Sequence, residues 1–351
     1  MAFHENLLWL CDIASPTGQE GDLADELVRR LSELPAAAPL RRYGNSLVAP
    51  LSRGSGGPKI LLVSQLDVTA SGQTPPARLE GGRVVGPGAA SVKSGLCLLL
   101  DLAERPPVAR ADITLVFHAR GEGGFDGSEL GMVEKRDAEL GEADLALVLE
   151  PTDNKLQLGS GGSTHATLAL KGSAAHSGLP RSGQNAIHKF ARVLSRLATF
   201  EPVPDVVNGL TWYETMSATM VQGGRPGSIV PDRLEVNVHH VYGPSTDTHD
   251  SQDRLIALVD RVGAVRFEEL SAPAAPNREH PLLRSLEGSG VRDVEARQTW
   301  SEVARFAALG VAAGNFGPAA ERAAHTRNES VDLQEIELSR SILERWFATM
   351  S

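Results

Sequence analysis

Cysteine is nearly absent, with only Cys11 and Cys97 in a chain of 351 residues. Both lie in apolar stretches, which reads as core packing, and two thiols do not make a disulfide framework. Aromatic residues are scarce, at 5%. Positive charge is in the minority: 34 Lys and Arg against 44 Asp and Glu leave a net charge of −10. That balance argues against a broad nucleic-acid-binding surface. No apolar run approaches the roughly 20 residues that a membrane-spanning helix needs. The N-terminus also lacks a basic segment leading into an apolar one. The 21 prolines and 35 glycines are dispersed, so no long disordered tract stands out. The expectation is a soluble, cytoplasmic protein that partners neither nucleic acid nor membrane.

What is present is a large apolar fraction, 41%, in a chain long enough for two domains. "KILLVSQ", "ITLVFHA" and "ADLALVLEP" are short β-rich apolar runs of the kind that form buried strands. "KSGLCLLLDLAE" reads as a helix between the first two. Strands alternating with helices predict a mostly parallel α/β sheet, whose ligands bind at the carboxyl ends of the strands. Gln65, Asp67, Glu122 and Glu150 fall at or just beyond such ends. After "LGSGG" the pattern changes. "STHATLALKG" and "RLEVNVHHVYG" alternate polar and apolar residues, and "QNAIHKFARVLSRLATF" is an amphipathic helix. These segments predict a small antiparallel α+β unit inserted into the first. The α/β character returns with "GVAAGNFGP" and a final helix, "LQEIELSRSILERWFATM". The expected division is residues 1–162 and 272–351 for a discontinuous catalytic-type domain and 163–271 for the inserted one.

From "SPTGQEG" to "AHTRNESVDL" the order of these segments resembles peptidase family M20, the dinuclear zinc aminoacylases and carboxypeptidases. Within it the likeness is to amino-acid-biosynthesis deacetylases, including those that release a lysine-pathway amino acid from a carrier protein. The resemblance implies a three-layer zinc-peptidase-like domain with an inserted ferredoxin-like lid, through which the chain forms a homodimer. It also implies roles for single residues. In "SQLD", Asp67 keeps the place of the orienting aspartate, while Gln65 stands where a zinc-binding histidine is expected. In "GAASVKSG", Ser91 stands at the bridging aspartate and Lys93 is kept. In "HARGEGG", Gly121 replaces the general base and Glu122 keeps a ligand position. Glu150 in "LEPT" and His325 in "AAHTRNE" keep ligand positions, and His176 matches the lid histidine that steadies an oxyanion. Ser228 aligns with a substrate-pocket asparagine. His239 aligns with a pocket arginine, and His240 is a one-residue alternative.

Two zinc ions need a bridge that offsets their charge, and a neutral Ser91 hydroxyl cannot provide it. Hydrolysis needs a base beside the attacking water, and Gly121 has no side chain. The resulting expectation is no cofactor, with the zinc pair lost and family-type hydrolysis given up. Asp67, Glu122, Glu150, His176 and His325 are the catalytic candidates, and Gln65, Ser91, Lys93, Ser228 and His239 the substrate-binding ones. Converging carboxylates repel and demand a cation, which a substrate ammonium can supply. That points to a metal-independent, non-hydrolytic lyase or cyclase acting on a basic amino-acid derivative, free or on an acidic carrier protein. A catalytically inactive binding or scaffold protein is one alternative. A hydrolase with a single metal on Glu122, Glu150 and His325 is another.

Overall fold

The computed structural model describes residues 3–69, 75–225, 227–260 and 262–350. The chain divides into two compact units. One comprises Met1–Gly159, Asn277–Glu295 and Glu302–Ser351; the other comprises Ser160–Pro276 and Ala296–Ser301. Among the described residues no helix is long and apolar enough to cross a membrane.

The first unit is α/β. The strands Asp112–His118, Lys59–Gln65, Leu145–Val148 and Ala312–Asn315 lie side by side and parallel. Ser46–Pro50 adds to Asp112–His118 in the opposite direction. The central strands are apolar on both faces because helices cover both faces, so Ile60, Leu61, Leu62 and Val63 are all buried. One of these helices, Lys93–Glu104, carries five leucines. It approaches so closely that a Cβ on Gly95 would lie 2.5 Å from the Leu149 carbonyl oxygen. The register sets Gln65 beside His118 and Val63 beside Val148, so the strands end together and the following turns share one edge.

The second unit is α+β. Five antiparallel strands run in the order Val203–Val207, Leu210–Gly223, Arg233–Tyr242, Gly162–Lys171, Ala264–Ser271. One face of this sheet buries Leu168, Leu170, Val236 and Val238 against Phe190 and Val193 of the helix Ala186–Ala198 and Leu255 of the helix Thr248–Val259. The period-two alternation puts His165, Asn237 and His239 on the other face. Asn185 caps the first helix by accepting the N–H groups of Ile187 and His188. Asp247 caps the second by accepting the N–H of Asp250.

Candidate active site

The strand Lys59–Gln65 delivers Gln65 and then Asp67 to the carboxyl edge of the sheet. Asp67 is fully buried. Its carboxylate accepts the backbone N–H of Gly121 at 2.6 Å, that of Glu122 at 3.0 Å and the Thr17 hydroxyl at 2.9 Å. Burial raises its pKa above the ordinary carboxylate value, and the two amides and Thr17 pull it back. Asp67 therefore pins the turn at 121–122. Arg120, just before that turn, is held in the left-handed region at φ 60°, with its N–H donating to the Glu20 carboxylate at 3.1 Å. A non-glycine residue there marks a turn constrained from outside.

Gln65 reaches across this turn. Its Nε2 donates to Glu122 Oε1 at 2.8 Å, and a Cβ on Gly121 would lie 2.2 Å from Gln65 Oε1. The Gln65 side chain thus fills the space that a side chain at 121 would need. The surrounding protein raises the pKa of Glu122; the charges of Glu150 and Asp67 add to the rise, and His325 and the Gln65 hydrogen bond oppose it. Glu150 follows the strand Leu145–Val148 and lies within electrostatic range of Glu122. His325 also sits at positive φ, 57°, with its Nδ1 2.5 Å from the Thr69 hydroxyl.

Ser91 is buried, and its N–H donates to the Glu329 carboxylate at 2.7 Å. Lys93 is fully buried, and its Nζ donates to the Ile13 carbonyl at 2.7 Å while burial lowers its pKa. Its charge is spent on the N-terminal segment. The remaining three candidates belong to the second unit. His176 is exposed, with Nδ1 accepting the Gly178 N–H at 3.1 Å. Ser228 is exposed, and its carbonyl accepts the Ser177 N–H at 2.7 Å. His240 is fully buried among Ser251 and Glu214, whereas His239 lies on the opposite face, stacked on His165 at 4.1 Å and bonded to the Ser163 hydroxyl at 2.9 Å.

Sequence reasoning overlooked a buried group beside the site. Glu302 opens the helix Val303–Ala308 and is 3% exposed. Its pKa is pushed up to about 8 by burial, with the charges of Glu150 and Asp67 adding and Arg305 opposing. His118 Nε2 lies 4.0 Å from Glu302 Oε1, and burial, helped by Arg305, pushes that imidazole down to about 3. Burial beside two like-charged neighbours leaves a carboxyl neutral at pH 7, and burial leaves the imidazole near it neutral as well. The clue in the sequence was a glutamate immediately before the mostly apolar "VARFAALGV", but nothing in its spacing tied it to Glu150.

A family model described as peptidase family M20/M25/M40 matches residues 61–349. The chain belongs to that family. A Mycobacterium tuberculosis protein provisionally named a succinyl-diaminopimelate desuccinylase is 32% identical over 346 residues, covering 96% of this chain and 95% of its own. A succinyl-diaminopimelate desuccinylase from Corynebacterium glutamicum is 27% identical, covering 97% and 94%. Among solved structures, a tripeptidase from Staphylococcus aureus superposes with a TM-score of 0.80 at 17% identity, covering 99% of this chain and 97% of its own. A Bacillus subtilis protein described as a dinuclear metal binding peptidase of the M20 family superposes with a TM-score of 0.66 at 12% identity, covering 99% and 97%. The resemblance read from the motifs and the α/β fold class are thereby established.

Two expectations are corrected. The non-hydrolytic, lyase- or cyclase-type chemistry is overturned by the relatives, which span the whole chain and are named for hydrolytic reactions. The exchanges at Gln65, Ser91 and Gly121 do not outweigh likeness along the full chain. The expectation of no cofactor is likewise not what the family supports, since a member of the same family is described as binding two metals. Among the described residues no group of three or more His, Cys, Asp or Glu side chains is gathered closely enough to hold a metal ion. The Gln65 amide occupies Glu122, so these side chains do not fit a metal centre.

Proposed function

We propose that the chain is an amidohydrolase acting on a small N-acyl amino acid, of the chemical class of N-succinyl-diaminopimelate. The full-length likeness to two desuccinylases, one of them 32% identical, carries this reading. In the reaction the acyl carbon–nitrogen bond breaks, water supplies the new carbon–oxygen bond, and the nitrogen takes up a proton. Glu122 is the group proposed to hold and pass that proton, because a carboxyl raised above its ordinary pKa suits transfer near neutrality. Gln65 orients it through the 2.8 Å hydrogen bond. Glu150 supplies the negative field that favours a substrate ammonium. His176, Ser228 and His239 are proposals for substrate contact. The substrate is proposed to be a free small molecule rather than one attached to a carrier.

The test is release of amine from N-succinyl-diaminopimelate, N-acetyl-ornithine and N-acetyl-lysine, with and without added zinc, on protein purified without chelator. Release above the blank that is lost in Glu122→Gln and Glu150→Gln is the expected result. No release from any of the three, under either condition, overturns the reading.

A further inference from the structure

Glu329 lies four residues beyond His325 and is 2% exposed. Its carboxylate accepts three backbone N–H groups from one turn: Ser91 at 2.7 Å, Ala90 at 3.1 Å and Gly88 at 3.3 Å. Its main chain is engaged with both segments, its carbonyl accepting the Gly86 N–H at 3.2 Å and its own N–H donating to the Thr326 carbonyl at 3.2 Å within the His325 loop. The next residues, Ser330–Asp332, pair with Arg83–Val85 as a short antiparallel ladder. The receiving turn is equally built. Gly88 has φ 79°, and a Cβ there would lie 2.5 Å from Val68 Cγ1, so only glycine fits. Burying a carboxylate is costly unless it is paired or accepts several hydrogen bonds. Three amides aimed at one carboxylate satisfy that condition and bind two chain segments to one another.

The two segments are those that carry Ser91 and His325. We propose that Glu329 is a positioning residue of the site, a single carboxylate that sets the turn bearing Ser91 and the loop bearing His325 relative to one another. The left-handed backbone at His325 supports this. Such a conformation is strained for a residue other than glycine and persists only where the surroundings over-determine it. The Thr69 hydroxyl holds its ring, and Glu329 anchors the same loop four residues on, its N–H donating to the Thr326 carbonyl. A glutamine at 329 would turn an N–H group toward amides that are themselves donors, losing at least one of the three hydrogen bonds. An aspartate would keep the charge but fall short by one carbon.

The proposal rests on the hydrolase reading only for its turnover measurement, so the experiment has two arms. Backbone amide and imidazole resonances are followed in the wild type, Glu329→Gln and Glu329→Asp. The amides of Gly88, Ala90 and Ser91 are expected to shift in Glu329→Gln, and the His325 ring signals with them. In the wild type those three turn amides are expected to exchange with solvent as slowly as the central strands. On the substrate that the wild type turns over, kcat is expected to fall on the order of a hundredfold, the scale of misplaced catalytic groups, with KM little changed. Unmoved His325 signals beside shifted turn amides would show that Glu329 clips only one loop, and would overturn the proposal. If Glu329→Gln fails to fold, Glu329→Asp and the wild-type exchange rates decide, and fast exchange at 88, 90 and 91 overturns it. If no substrate is turned over, the hydrolase reading fails while the resonance arm still decides the role of Glu329.

Discussion

A side chain at position 121 would have to begin inside Gln65. Its Cβ would be 2.2 Å from Gln65 Oε1 and 2.8 Å from Gln65 Cβ, and real Cβ atoms do not come so near. Positions 65 and 121 therefore behave as a pair: the large residue is at one and the empty place at the other. Gly121→Glu alone is expected to cost about 1–3 kcal/mol, the usual cost of overpacking. In the Gln65→Ala background the same change should cost less, with a coupling of about 0.5–3 kcal/mol. Urea denaturation of the four proteins in the cycle measures it, and additive costs would show that the Gln65 amide, as distinct from its Cβ, is not what excludes a side chain at 121. Glu302 gives a second expectation at this scale. Its folded pKa is raised, so between the ordinary carboxylate value and about 8 the unfolded chain releases a proton that the folded chain keeps. Stability from this group is highest in acid, falls as pH rises through that window and is flat above it. Glu302→Gln removes the penalty. It should be more stable than the wild type at pH 7–8 by about 1–3 kcal/mol, with the difference vanishing near pH 4. Paired melts across pH check the sign, and a variant that is less stable at pH 8 would contradict it.

The parallel strands were legible because helices cover both of their faces, which forces the unbroken apolar runs of Lys59–Gln65 and Asp112–His118. The second unit was legible from its alternation, which let the register choose between two adjacent histidines: His240 goes to the helix-covered face and His239 to the open one. Less could be read from the site. Gln65, Asp67 and Glu122 meet because they leave strands that end together, and that much follows from topology. That Lys93 turns to the Ile13 carbonyl, or that Glu302 lies near Glu150, depends on how helices pack, which spacing along the chain does not encode. At this scale the cap of the helix Ala186–Ala198 offers a direct test. Asn185 accepts two backbone N–H groups, so Asn185→Ala should destabilise the second unit by about 0.5–2 kcal/mol. Exchange rates of the amides at 187 and 188 should rise first, and unchanged rates would mean the cap is idle.

Over the whole molecule, each unit has a core of its own. In the second unit it is built around Leu168, Val236, Phe190 and Leu255. Chains with two cores commonly depart from all-or-none unfolding. Calorimetry is therefore expected to give a calorimetric enthalpy larger than the van't Hoff value, and equality of the two would show that the units melt as one. The acidic balance, −10 overall, acts at the same scale by adding a general repulsion between molecules, which favours solubility.

The stacked histidines of the second unit have a consequence for how its open face answers acid. The rings of His165 and His239 are 4.1 Å apart and nearly parallel, 7° from coplanar alignment. Two cations cannot share that spacing without strong repulsion. Burial and the neighbouring ring push His239 down to about 4, so it stays neutral through the range in which an unperturbed imidazole would take a proton. Over that range His239 adds no charge to the face, and the pair presents stacked ring surface there instead of two cations.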